Sequence, residues 1–78
     1  MPAYARKSAH IYPNPVNHEL HLSLEDVQRV EIYDQLGKMI LSETNPHSTI
    51  SVSSLPQGIY IVKISTENEC YTEKFIKQ

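Results

Sequence analysis

Leu55-Pro56-Gln57-Gly58-Ile59-Tyr60-Ile61-Val62-Lys63-Ile64-Ser65 is the stretch from which the fold can be read. Pro56 and Gly58 interrupt regular structure, and Ile59, Tyr60, Ile61, Val62 and Ile64 then follow almost without a break. Such β-branched and aromatic residues, bounded by turn residues, predict a strand. Tyr60, Val62 and Ile64 fall on one face and Ile59 and Ile61 on the other. Apolar residues on both faces predict a strand covered on both sides, since a strand with one wet face alternates. A chain this short has room for one such strand. It is expected at the centre, with the other segments pairing with it or covering it.

After it, Thr66-Glu67-Asn68-Glu69 turns the chain. Cys70 to Lys77 follows as a last strand, with Tyr71 and Phe75 on one face and Cys70 and Ile76 on the other. Before it, Leu55 closes the end of a strand over Ser48 to Ser53 that carries Ile50 and Val52 on one face. Asn45-Pro46-His47 makes a turn, and Lys38 to Ser42 a strand with Ile40 in the core. Asp34-Gln35-Leu36-Gly37 closes a hairpin, the aspartate bonding the backbone ahead of it and the glycine taking the left-handed conformation of a bulged type I turn. Arg29 to Tyr33 precedes it with Val30 and Ile32 inward, after a turn at Glu25-Asp26.

Glu19 to Leu24 alternates, with Leu20, Leu22 and Leu24 inward and Glu19, His21 and Ser23 outward. A period of two marks a half-buried strand. Ile11-Tyr12 is a short strand stopped by Pro13-Asn14-Pro15, where two prolines remove two donors and make a rigid turn. Residues 1–10 read as a linker or tail and residues 11–78 as the domain. The sum is seven short strands with no helical period. Turns spaced roughly 8–12 residues apart predict an all-β, immunoglobulin-like sandwich of antiparallel strands.

Composition narrows the function classes. Seventy-eight residues make one domain, and a core of this size supplies only about 3–5 kcal/mol unless something staples it. Cys70 stands alone, so no internal disulfide can form. A formal charge of −2 suggests neither nucleic acid nor a membrane surface as partner. No apolar run approaches the ~20 residues of a membrane span. Residues 1–9 lack the apolar core of a signal peptide, so the chain by itself is expected to stay where it is made; a piece of a longer protein fits equally.

The titratable residues do not assemble a reaction. His10, His18, His21 and His47 invite a metal, but His18 and His21 differ by an odd number and point to opposite faces of one strand. No HxH, HExxH or CxxC pattern occurs, so no metal site is expected. Cys70 lies beside Glu69, whose charge works against a thiolate nucleophile. Ser53-Ser54 has no GxSxG setting, and two glycines do not make a phosphate loop. No catalytic residue and no cofactor are expected. The end of the chain is more informative: in Glu73-Lys74-Phe75-Ile76-Lys77-Gln78 charged and apolar residues alternate. Lysines protect an edge strand from pairing with other edges, but such a strand is also open to a partner that adds a strand of its own.

Four blocks in order carry a resemblance. Tyr12-Pro13-Asn14-Pro15-Val16 resembles the YPNPV opening of the type A C-terminal sorting domains of the type IX (Por) secretion system. Val30 to Lys38, with Asp34 and Gly37 at its turn, is similar to that family's hairpin. Leu55 to Ile64, with Gly58 and Tyr60, is similar to its L-x-x-G-[IV]-Y block. Lys74-Phe75-Ile76-Lys77 resembles its basic tail, although many members end in Lys or Arg where this chain ends in Lys77-Gln78.

The resemblance implies a signal rather than a catalyst. It implies a domain that folds in the periplasm behind an N-terminal cargo, is recognised by the outer-membrane translocon, and is carried to the cell surface. There a sortase usually cleaves upstream, in or before residues 1–9, and attaches the cargo to lipopolysaccharide. By matched position, Lys74, Phe75, Ile76, Lys77 and Gln78 are expected in recognition, the lysines as exposed groups. Tyr12, Pro13, Asn14, Pro15, Asp34, Gly37, Gly58 and Tyr60 are expected to be structural, Gly58 by its turn conformation and Tyr60 by filling the core. The alternative is an adhesion or carbohydrate-binding module using Tyr4, Tyr33 and Tyr71. If the domain dimerises, by edge pairing or strand exchange, the last strand or residues 1–12 are expected at the interface.

Overall fold

A computed structural model describes residues 10–78, and within them the chain is all β. Seven strands run in order: β1 Ile11–Tyr12, β2 Glu19–Leu22, β3 Arg29–Tyr33, β4 Met39–Thr44, β5 Thr49–Ser51, β6 Gly58–Ser65 and β7 Cys70–Lys77. They form two antiparallel sheets, a three-stranded one in the order β1-β2-β5 and a four-stranded one in the order β4-β3-β6-β7. This is the expected immunoglobulin-like sandwich. The expectation for residues 1–9 lies outside the described residues.

The alternating segments place their apolar positions as read. Leu20, Leu22, Val30, Ile32, Ile50 and Val52 are all buried, and with Ile11, Val16, Tyr60, Val62, Ile64 and Phe75 they form one core between the sheets. Tyr60 stacks on Phe75 with ring centroids 5.5 Å apart. Its hydroxyl donates to the Pro56 carbonyl at 2.6 Å, a bond back to upstream backbone like the tyrosine corner of immunoglobulin-like domains. Gly58, at φ +155°, turns the chain into β6.

The Asp34–Gly37 hairpin forms as its residues dictate. The Asp34 carboxylate accepts from the Leu36 and Lys38 amides at 2.9 and 3.0 Å, and Gly37 takes φ +86°. The register then slips between Ile32 and Tyr33, which pair with Leu41 and Met39. Ile40 is therefore the extra residue of a β-bulge. It is only half-buried, as is Leu41, the residue opposite Ile32. The expectation of Ile40 as the core residue of this strand is corrected accordingly: the bulge shares the core contact between the two.

A second correction concerns the central strand. β6 is paired on both sides, by β3 and β7, but it is not covered on both faces. Ile59 and Ile61 are 40% and 37% exposed. Among the described residues the sandwich has two layers, and none of them lies over the outer face of β6. The run of isoleucines is half core and half surface.

Candidate recognition site

The C-terminal strand is built into the molecule more firmly than an open edge. β7 pairs with β6 along its whole length, from Ser65–Cys70 to Gly58–Lys77. Tyr71, Glu73, Phe75 and Lys77 point inward, while Cys70, Thr72, Lys74 and Ile76 point outward. Phe75 is fully buried and Lys77 is only 7% exposed. The expectation that both tail lysines are exposed fails at Lys77. It shares the parity of Phe75, so its stem lies against the sandwich and its ammonium reaches the Gln78 main-chain oxygen at 3.0 Å. Lys74 is the exposed one.

The outer edge of β7 is occupied from a distance. After β1, Pro13-Asn14-Pro15 carries the chain from the three-stranded sheet to the four-stranded one, with both X–Pro peptide bonds cis. The Asn14 side-chain amide donates to the Lys74 carbonyl at 3.2 Å and its oxygen accepts from the Ile76 amide at 2.9 Å. Val16 then bridges in parallel, its amide donating to the Ile76 carbonyl and its carbonyl accepting from the Gln78 amide, both at 2.8 Å. One side chain and one residue of backbone thus stand in for a neighbouring strand from Lys74 to Gln78. Prolines have no N–H to give, so on this turn the asparagine amide supplies the donor. The local pattern shows a rigid turn; which edge it closes is not visible in it.

Further along β7, Glu73 accepts from the His10 amide at 2.9 and 3.1 Å and also pairs with the His10 ring. The His10 ring lies 4.4 Å from that of Tyr71. The other histidines are dispersed. His21 stacks on Tyr12 at 5.2 Å, and His18 and His47 are exposed. Among the described residues no three His, Cys, Asp or Glu side chains come together to hold a metal.

The outer face of the four-stranded sheet carries further exposed residues of the matched blocks. Ile59 and Ile76 are cross-strand partners, as are Ile61 and Lys74. Ile76 is 45% exposed. The Lys63 ammonium sits 5.3 Å from the centre of the Tyr33 ring. The Tyr33 hydroxyl donates to Glu31 at 3.0 Å, and that bond to a carboxylate is the main reason its pKa is raised. Tyr71 points to the opposite, inner face, so it and Tyr33 do not form one aromatic surface. Tyr4 lies outside the described residues.

A family model, that of the secretion system C-terminal sorting domain, matches residues 10–78. The chain belongs to this family of type IX secretion sorting domains. The match takes in all four blocks quoted from the sequence and every strand of the sandwich. A sorting domain is a non-catalytic tail that marks a protein for export to the cell surface or beyond, and it works by interacting with the type IX machinery. No curated protein gave a match to the chain.

Proposed function

We propose that this sorting domain is an address read in the periplasm by the outer-membrane translocon, after an N-terminal cargo has crossed the inner membrane. Once the cargo is outside, a cell-surface sortase cleaves upstream of the domain, in or before residues 1–9, and attaches the cargo to lipopolysaccharide. The single observation that carries this reading is the family match over residues 10–78. In it, residues 11–78 are the signal and residues 1–10 the linker. The recognition segment is Lys74 to Gln78, with its five residues in two roles. Lys74, Ile76 and Gln78 are exposed and available for contact, whereas Phe75 and Lys77 hold the strand in place from beneath.

The test is export of a fluorescent periplasmic reporter fused to the full chain. It is run in a host with a type IX translocon and in the same host with the translocon deleted. Delivery to the surface only in the competent host is expected, with the domain missing from the surface product and the reporter running as a lipopolysaccharide ladder. Periplasmic retention in both hosts overturns the reading. Surface product that keeps the domain overturns the cleavage step alone.

A further inference from the structure

A translocon could recognise β7 by adding a strand to its edge or by contacting side chains on its face. The end of the edge is taken: the Lys74 carbonyl, both main-chain groups of Ile76 and the Gln78 amide are used by Asn14 and Val16. The face is exposed among the described residues, and it gathers apolar side chains. Ile59, Ile61 and Ile76 lie side by side across β6 and β7 at 37–45% exposure, and clustered exposed apolar residues mark interaction sites. Lys74 and Lys63 flank them, and among the described residues neither makes an ion pair.

The carboxylates nearest this patch are engaged. Glu31 holds the Tyr33 hydroxyl at 3.0 Å and faces Arg29 at 3.6 Å. Asp34 holds the amides of Leu36 and Lys38. Glu31 is also the cross-strand partner of Lys63. Among the outward strand positions it is the one carboxylate against Arg29, Lys63 and Lys74, so in a chain of net charge −2 this face is net positive around its exposed isoleucines. Beside Ile61 and Lys63 the surface dips into a hollow of about 290 Å³, which Tyr33, Asp34, Gln35 and Gly37 also line.

We propose that the outer face of the four-stranded sheet, from Lys74 and Ile76 across Ile59, Ile61 and Lys63, is the surface by which the type IX machinery takes up this domain. Its occupant is a protein surface with an apolar centre and a carboxylate rim. The apolar centre matches the isoleucines, the carboxylates match Lys63 and Lys74, and the hollow has room for a side chain of the partner. The inference rests on the sorting reading above and says where and by what chemistry the signal is read. Complementary charge chiefly sets encounter rate and partner choice, so reversing it acts on delivery without touching the core.

The experiment uses the same reporter fused to the full chain in the competent host, with three variants. Lys63→Glu with Lys74→Glu reverses the rim. Lys63→Ala with Lys74→Ala removes it with no new charge. Ile59→Ser with Ile76→Ser removes the apolar pair. Each purified variant is first checked for a cooperative unfolding transition. Expected is delivery of the unaltered chain and a fall of roughly tenfold or more for the charge-reversed and serine variants, with a smaller fall for the alanine pair.

Folded variants delivered as well as the unaltered chain overturn the proposal while leaving the sorting reading intact. Retention of the unaltered chain itself fails that reading instead. Delivery that rises when Asn14→Ala opens the β7 edge, with the face variants unaffected, points to strand addition and overturns face docking. Co-sedimentation of the purified chain with anionic phospholipid vesicles, lost in the charge-reversed variant, overturns the protein partner in favour of a lipid surface.

Discussion

The four-stranded sheet ends in two edges that are protected in different ways. On one side β4 has no neighbour among the described residues. It carries Ser42, Glu43 and Thr44 along its second half, begins with a bulge, and contributes only half-buried Ile40 and Leu41 to the core. Polar residues and bulges discourage a passing strand without closing the edge. On the other side β7 is anchored by fully buried Phe75 and is closed by residues some 60 positions away, through the Asn14 amide and Val16. Local composition guards one edge, and long-range hydrogen bonds close the C-terminal half of the other. The sealed edge is the one that ends in the segment we propose for recognition.

The contrast can be broken most sharply at Phe75. Phe75→Ala should cost about 3–5 kcal/mol, which is comparable to all the net stability a domain of this size has. Urea denaturation followed by circular dichroism should find it largely unfolded; a transition close to that of the unaltered chain would mean β7 is not the anchored edge. The matching change on the other side, Leu41→Ala, should cost only about 1–2 kcal/mol because that side chain is half-buried.

Asn14→Ala tests the seal itself. It removes a donor and an acceptor, at about 1 kcal/mol in an exposed setting, and frees the β7 backbone. Light scattering should then show dimer or larger species that the unaltered chain does not form at the same concentration. Asn14→Asp keeps the acceptor for the Ile76 amide and loses the donor to Lys74, so it should fall between. A monomeric Asn14→Ala of unchanged stability would leave the two edges equivalent.

The smallest effect is alkaline. Tyr33 and Tyr71 each donate to a carboxylate, Glu31 and Glu69, and each has its pKa raised from 10.0 chiefly by that bond. A raised folded-state pKa means the contribution is fully present below the ordinary value and is lost as pH rises through the raised one. Absorbance titration should therefore find both phenols ionising late. Tyr33→Phe should flatten part of the stability loss above pH ~10, and Tyr71→Phe a further part. Early ionisation of either ring would contradict the carboxylate bond.

The sandwich was legible wherever one face is wet, because there the period of two names the inner residues. Leu20 with Leu22, Val30 with Ile32, and Ile50 with Val52 were all readable in this way. The hairpin was legible because Asp34 and Gly37 act on backbone within four residues of themselves. Ile59 and Ile61 misled, since an isoleucine on a sheet face looks the same whether the chain or a partner is meant to cover it. Lys77 misled for the opposite reason: its parity with Phe75 placed it inward, and its charge was read as exposure. The part played by Asn14 could not be read at all. Its partners lie 60 and 62 residues away, and nothing in the spacing of Pro13 and Pro15 names them.

That separation has a consequence for when the domain exists. Ribosomes supply the chain from its beginning, so Asn14 and Val16 emerge early and wait for almost all the rest before Lys74, Ile76 and Gln78 arrive to meet them. A chain whose synthesis stalls, or whose tail is trimmed back past Phe75, has neither the aromatic centre of the sandwich nor the strand that Asn14 holds. Only a molecule translated through these residues can close the fold, and the closed fold is then a statement that everything upstream of it has been made.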